Sequence, residues 1–168
     1  MHDSAETTAI DYAGAVAAHL QRASIETMPE RTIARAKERL IDSVGNLLAG
    51  VNATGNAAAR SVFLGYGGAP ESTVVGTGAS LPAPHAAMLN AMAMRSWDFE
   101  AVGAEAADAS MVAAHISGTT VPVALAAAER AKSSGPAFLE ALILGDDLAS
   151  RLAVASGFHT ASGGDNTG

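Results

Sequence analysis

Alanine makes up close to a quarter of the 168 residues, and this one feature restricts the chain to helical architectures. Alanine is the strongest helix former, and its small side chain lets helices pack closely. Aromatic residues account for only 4% of the chain, and β-branched residues occur mainly in short runs, which disfavours an all-β fold. We therefore predict an all-α fold of about six helices, with at most one short strand, forming a single domain over residues 1–168.

The charge balance and the lack of cysteine exclude several classes of protein. The chain carries 10 Lys and Arg against 17 Asp and Glu, a formal net charge of −7, whereas a nucleic-acid binder needs clustered cations. Without cysteine there is neither a disulfide framework nor a thiolate metal site. No signal segment and no strongly apolar stretch is present, so we expect a cytoplasmic protein that does not span a membrane.

Apolar periodicity and helix-breaking residues predict where each helix lies. The first helix is predicted to start at a Ser4 cap, and the fifth at a cap formed by Thr119 or Thr120. Small residues on two sides of the fourth helix predict that it is buried between neighbours. In the second helix, charged residues at 31–39 lie mainly opposite an apolar face formed by Ile33, Ala36, Leu40, Ile41, Val44, Leu47 and Leu48. The predicted helices cover 4–23, 27–50, 56–66, 81–97, 119–132 and 136–156, with 72–76 as the one strand-like run.

A carboxylate between aromatic residues is the first candidate for chemistry. Asp98 lies in the run Trp97–Glu100, after the fourth helix. Poor solvation beside aromatic rings makes a carboxylate a better proton acceptor. The same residues also fit an acidic surface turn, which is the commoner arrangement.

Two further segments combine histidine with small polar residues. The run His115–Thr120 precedes the fifth helix, where backbone N–H groups and hydroxyls favour an anion and a histidine can move a proton. A capping turn with a hydrogen-bonded histidine explains this run as well. The glycine-rich segment 157–168 is either a ligand loop or a plain polar terminus. No zinc-protease, phosphate-loop or dinucleotide motif is present.

The order of these segments resembles the MmgE/PrpD family, which includes 2-methylcitrate dehydratase and cis-aconitate decarboxylase. The resemblance implies a helical domain followed by a smaller α+β lid. It also implies a lyase that removes a proton beside a carboxyl group of a small di- or tricarboxylate, and then loses water or CO₂ or epimerises. It implies no metal and no organic cofactor. The matching segments are Leu40–Gly50, Ser72–Gly76, Ala86–Ala91, Trp97–Glu100, His115–Gly118 and Gly135–Leu152.

The resemblance also implies particular site residues. Asp98 matches the first aspartate of the family's D-F-D-D-T motif, and His115 matches the histidine of H-P-S-G, so both are expected to be catalytic. A later family histidine, in a G-F-H-P-T run, has two candidate counterparts: His159 matches better in its neighbours and Asp165 in its distance from Arg151. The residues expected to bind substrate are Ser117, Gly118, Thr119, His159 and Asp165.

Departures from the family pattern leave two functions open. Glu100, Val102 and Ile116 replace an aspartate, a threonine and a proline, and the segment before His115 is longer and more acidic. Family members are typically more than twice as long, so we expect the domain to be incomplete. A second polypeptide would then supply the lid and the later helices, and exposed helix faces would form an oligomer. The alternative is a non-catalytic scaffold or regulatory subunit that has kept the fold and lost the chemistry.

Overall fold

The structure, a computed structural model, describes residues 11–99, 104–105, 111–112 and 114–155. Within these ranges the chain forms six helices and two antiparallel hairpins. The first hairpin joins β1 and β2, and the second joins β3 and β4. None of the helices in the described part of the chain is long and apolar enough to cross a bilayer. The elements are α1 (Tyr12–Arg22), α2 (Glu30–Gly50), α3 (Asn56–Tyr66), β1 (Ser72–Val74), β2 (Ala79–Leu81), α4 (Ala83–Arg95), β3 (Ala104–Glu105), β4 (Met111–Val112), α5 (Ser117–Ala131) and α6 (Gly135–Ala155).

The predicted mostly helical class and its six helices are confirmed, and the strand content is higher than predicted. The strand expected over 72–76 is present but shorter, at Ser72–Val74, and it is one of four short strands in the described ranges rather than the only one. An extended segment leaves backbone N–H and C=O groups unpaired, so it is stable only beside a partner. Strand β1 therefore brings β2 with it, and Ser72 pairs with Leu81.

One predicted helix cap is wrong, and another lies outside the described residues. Helix α1 begins at Tyr12 because the Asp11 carboxylate accepts a hydrogen bond of 2.8 Å from the Gly14 N–H, and the predicted cap Ser4 lies outside the described residues. Helix α5 begins at Ser117, before the predicted caps. The Thr119 hydroxyl donates to the carbonyl of Ile116, and the Thr120 hydroxyl shares its proton between that carbonyl and the carboxylate of Asp146, so neither hydroxyl accepts from the helix.

Helix α4 lies at the centre of the domain, between α2 and α5, as its small residues predicted. Ala86 is fully buried and Ala93 nearly so. The predicted apolar face of α2 is only partly covered, because Ile41 and Leu48 remain exposed while Leu47 is buried. The main hydrophobic cluster consists of Leu47, Val51, Ala93, Met94, Val121 and Leu142.

The closest approach of α2 to α4 falls at Gly50, the last residue of α2. A Cβ atom added there would lie 1.8 Å from the carbonyl oxygen of Ala93, so no side chain fits. The Asn56 amide donates to the Gly50 carbonyl at 2.7 Å and to the Ser96 hydroxyl at 2.8 Å. The Trp97 indole N–H donates to the carbonyl of Ala49 at 3.0 Å. These bonds fix the end of α4 against the end of α2.

A pair of glycine substitutions in α2 tests this close approach. Gly50→Ala should lower the free energy of unfolding by about 1–3 kcal/mol, because the new methyl group overlaps a backbone carbonyl. Gly45→Ala is the matched control, since nothing lies within 4 Å of its added Cβ atom. The control should raise the free energy of unfolding by about 0.5–1 kcal/mol, because alanine has a higher helix propensity than glycine. Urea unfolding followed by circular dichroism measures both, and equal stability of the two variants would contradict the packing described here.

Candidate active site

Strand β1 is held by polar side chains from two helices. On one side the Asn90 amide donates to the Thr73 carbonyl at 2.9 Å and accepts from the Val75 N–H at 3.0 Å. On the other side Glu129 accepts hydrogen bonds from the Ser72 hydroxyl, the Thr73 N–H and the Thr73 hydroxyl at 2.6–2.8 Å. Asn90, Glu129 and β1 therefore stabilise the fold through these bonds.

Asp98 follows α4 in a strained backbone conformation. Its φ of 55° lies in the left-handed region, which costs a residue with a Cβ atom about 1–2 kcal/mol. Glycine is the usual residue where a helix ends in this way. Because strain of this kind collects at functional sites, an aspartate here points to a use for the carboxylate.

The aromatic neighbours do not desolvate Asp98, contrary to the expectation from sequence. Its side chain is 71% exposed. Trp97 is half exposed and turns its indole toward Ala49, and Phe99 is also exposed. Any lowering of solvation at this carboxylate therefore has to come from a bound ligand or a covering segment.

The structure brings Asp98 and His115 together from two separate segments. Asp98 Oδ1 lies 4.0 Å from His115 Nδ1 and 3.9 Å from Nη2 of Arg95. The imidazole is only 14% exposed. At 4.0 Å the two groups are beyond direct hydrogen bonding but within ion-pair range. An exposed carboxylate beside a mostly buried imidazole and an arginine can exchange a proton with a ligand on the open side.

The predicted substrate-binding residues of α5 are engaged within the protein. The Ser117 hydroxyl is buried and accepts a hydrogen bond of 2.5 Å from Nε of Arg39. Gly118 is buried, and both the N–H and the hydroxyl of Thr119 donate to the Ile116 carbonyl. Their role in substrate binding stays a prediction.

Other predicted residues lie outside the part of the chain that the structure describes. His159 and Asp165, the two counterparts of the later family histidine, are among them, as are Glu100 and Val102. The choice between His159 and Asp165 stays open. Within the described ranges, no three His, Asp or Glu side chains converge in a way that would hold a metal ion.

A partly buried ion pair near the first turn of α5 was not predicted. Arg39 Nη1 lies 2.9 Å from Asp146 Oδ2, and the Thr120 hydroxyl donates to Asp146 Oδ1 at 2.6 Å. Burial raises the pKa of Asp146, although the hydrogen bond from Thr120 and the charge of Arg39 oppose the rise. The spacing of Arg39 from Arg31 and Arg35, in steps of four residues, is the signal that one helix face carries all three arginines.

The fold and the site together define a class of protein. Its members are mostly helical domains with a carboxylate and an imidazole at the ends of two central helices. The chain matches the MmgE/PrpD N-terminal domain over residues 14–166, and it belongs to this family. No curated protein matches it significantly.

The hydrogen bonds to Glu129 predict an acid-sensitive contact. Partial burial raises the pKa of this carboxyl, but the hydrogen bonds from Ser72 and Thr73 outweigh it and hold the pKa below its ordinary value of 4.5. The unfolded chain therefore binds this proton more readily, so stability falls as the pH drops below about 4.5. Glu129→Gln should flatten this part of the curve of unfolding free energy against pH. If the variant loses stability below about pH 4.5 as steeply as the original chain, Glu129 is not the cause of this acid sensitivity.

Two substitutions at Asp98 separate backbone strain from the role of the carboxylate. Asp98→Gly and Asp98→Ala both remove the carboxylate, but only glycine adopts the φ of 55° without strain. We expect the glycine variant to be more stable than the alanine variant by about 1 kcal/mol. Thermal unfolding of the two variants measures the difference. Equal melting temperatures would show that the left-handed conformation is absent in solution.

Proposed function

We propose that this chain is part of an MmgE/PrpD-like lyase of the cytoplasm, which removes a proton beside a carboxyl group of a small carboxylate. The observation that carries the proposal is the 4.0 Å approach of Asp98 Oδ1 to His115 Nδ1 in a chain that belongs to this family. The fold also supports the proposal. Asp98 follows α4 and His115 precedes α5, so the two central helices bring these side chains near each other.

In the proposed mechanism His115 accepts the proton from the substrate carbon. The nearby carboxylate of Asp98 stabilises the imidazolium that forms, and Arg95 beside it attracts the carboxyl group of the substrate. The electron pair left on carbon then expels hydroxide, which the imidazolium protonates to water. In an epimerising variant the proton returns to the opposite face of the same carbon. In a decarboxylating variant the C–C bond to a carboxylate breaks, CO₂ leaves, and the imidazolium protonates the carbon that keeps the electron pair, so one proton is taken up from solvent for each CO₂ released. The first turn of α5, with Ser117, Gly118 and Thr119, and either His159 or Asp165 would orient the substrate.

We further propose that a second polypeptide completes the site. Asp98 is 71% exposed, and among the described residues Arg95 is the arginine within ion-pair range of it. A di- or tricarboxylate needs more positive charge than this, in a drier pocket. A lid and further helices from the partner would supply both. Exposed apolar side chains such as Ile41 and Leu48 of α2 offer a helical face for oligomer contact.

Deuterium exchange tests the proposed first step, in which a proton is removed from the substrate carbon. The complex, isolated from its natural source, is incubated in D₂O with citrate, 2-methylcitrate or cis-aconitate, and exchange next to the carboxyl groups is followed by proton NMR. Asp98→Asn and His115→Gln should each slow exchange about a hundredfold or more, because the first removes the carboxylate that stabilises the imidazolium and the second removes the base. Asp42→Asn, an exposed carboxylate on α2, is the matched control and should leave the rate unchanged.

The same preparation tests the partner. Native mass spectrometry should show a second, longer chain bound to this one, and a chelator should not reduce the activity. Full exchange activity in both site variants would mean that His115 is not the base and that Asp98 does not assist it. A mass of this chain alone, or of its own oligomer, would contradict the two-polypeptide proposal.

The alternative is a non-catalytic scaffold or regulatory subunit. It is favoured by the departures from the family motifs, of which Ile116, in place of a proline, is buried in the structure. Glu100 and Val102 belong to the same departures and lie outside the described residues. For this alternative, the partner in the complex would be a full-length relative that exchanges protons equally well without this chain.

A further inference from the structure

A cleft of about 890 Å³ lies between α1, the start of α2 and the second half of α6. This volume is within the range of about 300–1,000 Å³ that is typical of small-ligand sites. Neither Asp98 nor His115 lines the cleft. It is therefore a separate feature from the proposed reaction site.

Positive charge is concentrated in this cleft. Arg31, Arg35, Arg39 and Arg151 line it, which is four of the 10 Lys and Arg in a chain with a net charge of −7. Residues four apart lie on one helix face, so the three arginines of α2 form a stripe about 12 Å long. Like charges at this spacing repel one another, so the stripe does not stabilise α2. A bound anion would relieve the repulsion.

Two carboxylates also line the cleft, and both are already paired. Asp146 binds Arg39 at 2.9 Å. Asp147 Oδ2 lies 2.9 Å from His19 Nε2 and 2.9 Å from Arg151 Nε. Two aspartates against four arginines leave the lining with a formal charge of +2 when histidine is neutral.

The surplus charge belongs to Arg31 and Arg35. In the described part of the chain, the Arg31 side chain forms no hydrogen bond or ion pair, and Arg35 binds only Glu38, a mostly exposed partner at 2.8 Å. An ion pair of this exposed kind is weak and exchanges readily for another anion. The guanidinium groups are therefore available to a ligand in the cleft.

We propose that this cleft binds a small polyanion through Arg31 and Arg35, with the Arg39–Asp146 pair as its floor. A guanidinium group binds carboxylate and phosphate oxygens in pairs, and a concave surface with a surplus of one charge raises the local concentration of the opposite charge. The shared chemistry is an anion with two or more carboxylate or phosphate groups. The site does not depend on the proposed lyase activity.

Isothermal titration calorimetry of the full chain at low ionic strength tests the proposal. Citrate and pyrophosphate are the probes, and acetate is the singly charged control. We expect saturable binding of at least one probe at one site, much weaker binding of acetate, and an affinity that falls as salt is added. Tighter binding of citrate would identify a carboxylate ligand, and tighter binding of pyrophosphate a phosphate ligand.

A matched set of variants locates the site. Arg31→Gln with Arg35→Gln should weaken binding about tenfold or more, because two charge-assisted contacts are lost. Lys37→Gln removes the same type of charge from the opposite face of α2, outside the cleft lining, and should change the affinity less than about twofold. Circular dichroism checks that each variant is folded, and Arg31→Gln alone serves if the double variant is not.

Three outcomes would overturn the proposal. One is the absence of saturable binding of both probes, and another is unchanged affinity in the arginine variants. The third is an equal loss in Lys37→Gln, which would indicate general charge attraction only. Asp98→Asn should leave the binding of pyrophosphate, which is not a candidate substrate of the lyase, unchanged even if it abolishes proton exchange, so this site and the lyase can each fail separately.

Discussion

Backbone contact between α2 and α4 determines where the rest of this domain lies. It is allowed by Gly50 on one helix and by alanines on the other, because larger side chains would hold the two helices apart. Helix α5 packs on the other side of the same alanine-rich α4. The chain leaving α4 and the chain entering α5 therefore start from fixed places, and Asp98 and His115 meet between them.

Much of the resemblance to the family comes from residues that hold the fold together. Asn90 and Glu129 bind β1 from two sides, and Gly50 permits the helix contact described above. The contacts of these residues are explained by the architecture, whether or not the chain catalyses a reaction. A match to their motifs therefore identifies the fold firmly. The argument for chemistry depends on far fewer groups, chiefly Asp98 and His115.

The sequence predicts local structure well where breaking residues flank a periodic segment. The bounds of α3 are predicted correctly, since a glycine in a positive-φ conformation stands just before it and another just after it. The start of α5 is not, because threonine hydroxyls near a helix start bond to a preceding carbonyl as readily as to a following N–H. The predicted apolar face of α2 was wider than the part that is buried. Periodicity shows which residues share a face, but not which part of that face a neighbouring element covers.

The candidate site was predictable only in part. Family motifs single out Asp98 and His115, and the structure places them near each other, but no local pattern tells how exposed the carboxylate is. The pairing of Arg39 with Asp146 joins distant parts of the chain, and a single sequence holds no signal for such a contact. The arginine stripe of α2 was visible in the spacing, yet a charged stretch on a helix is usually a solvated face.

The left-handed backbone at Asp98 has a consequence for the evolution of the family. Glycine would adopt this conformation with less strain than aspartate, so the fold does not require an aspartate at this position. Under the proposed function, use of the carboxylate offsets this backbone cost, and a chain released from that use could take glycine here without loss of stability. On that proposal, a relative with glycine at the equivalent position would keep the fold and lack the carboxylate.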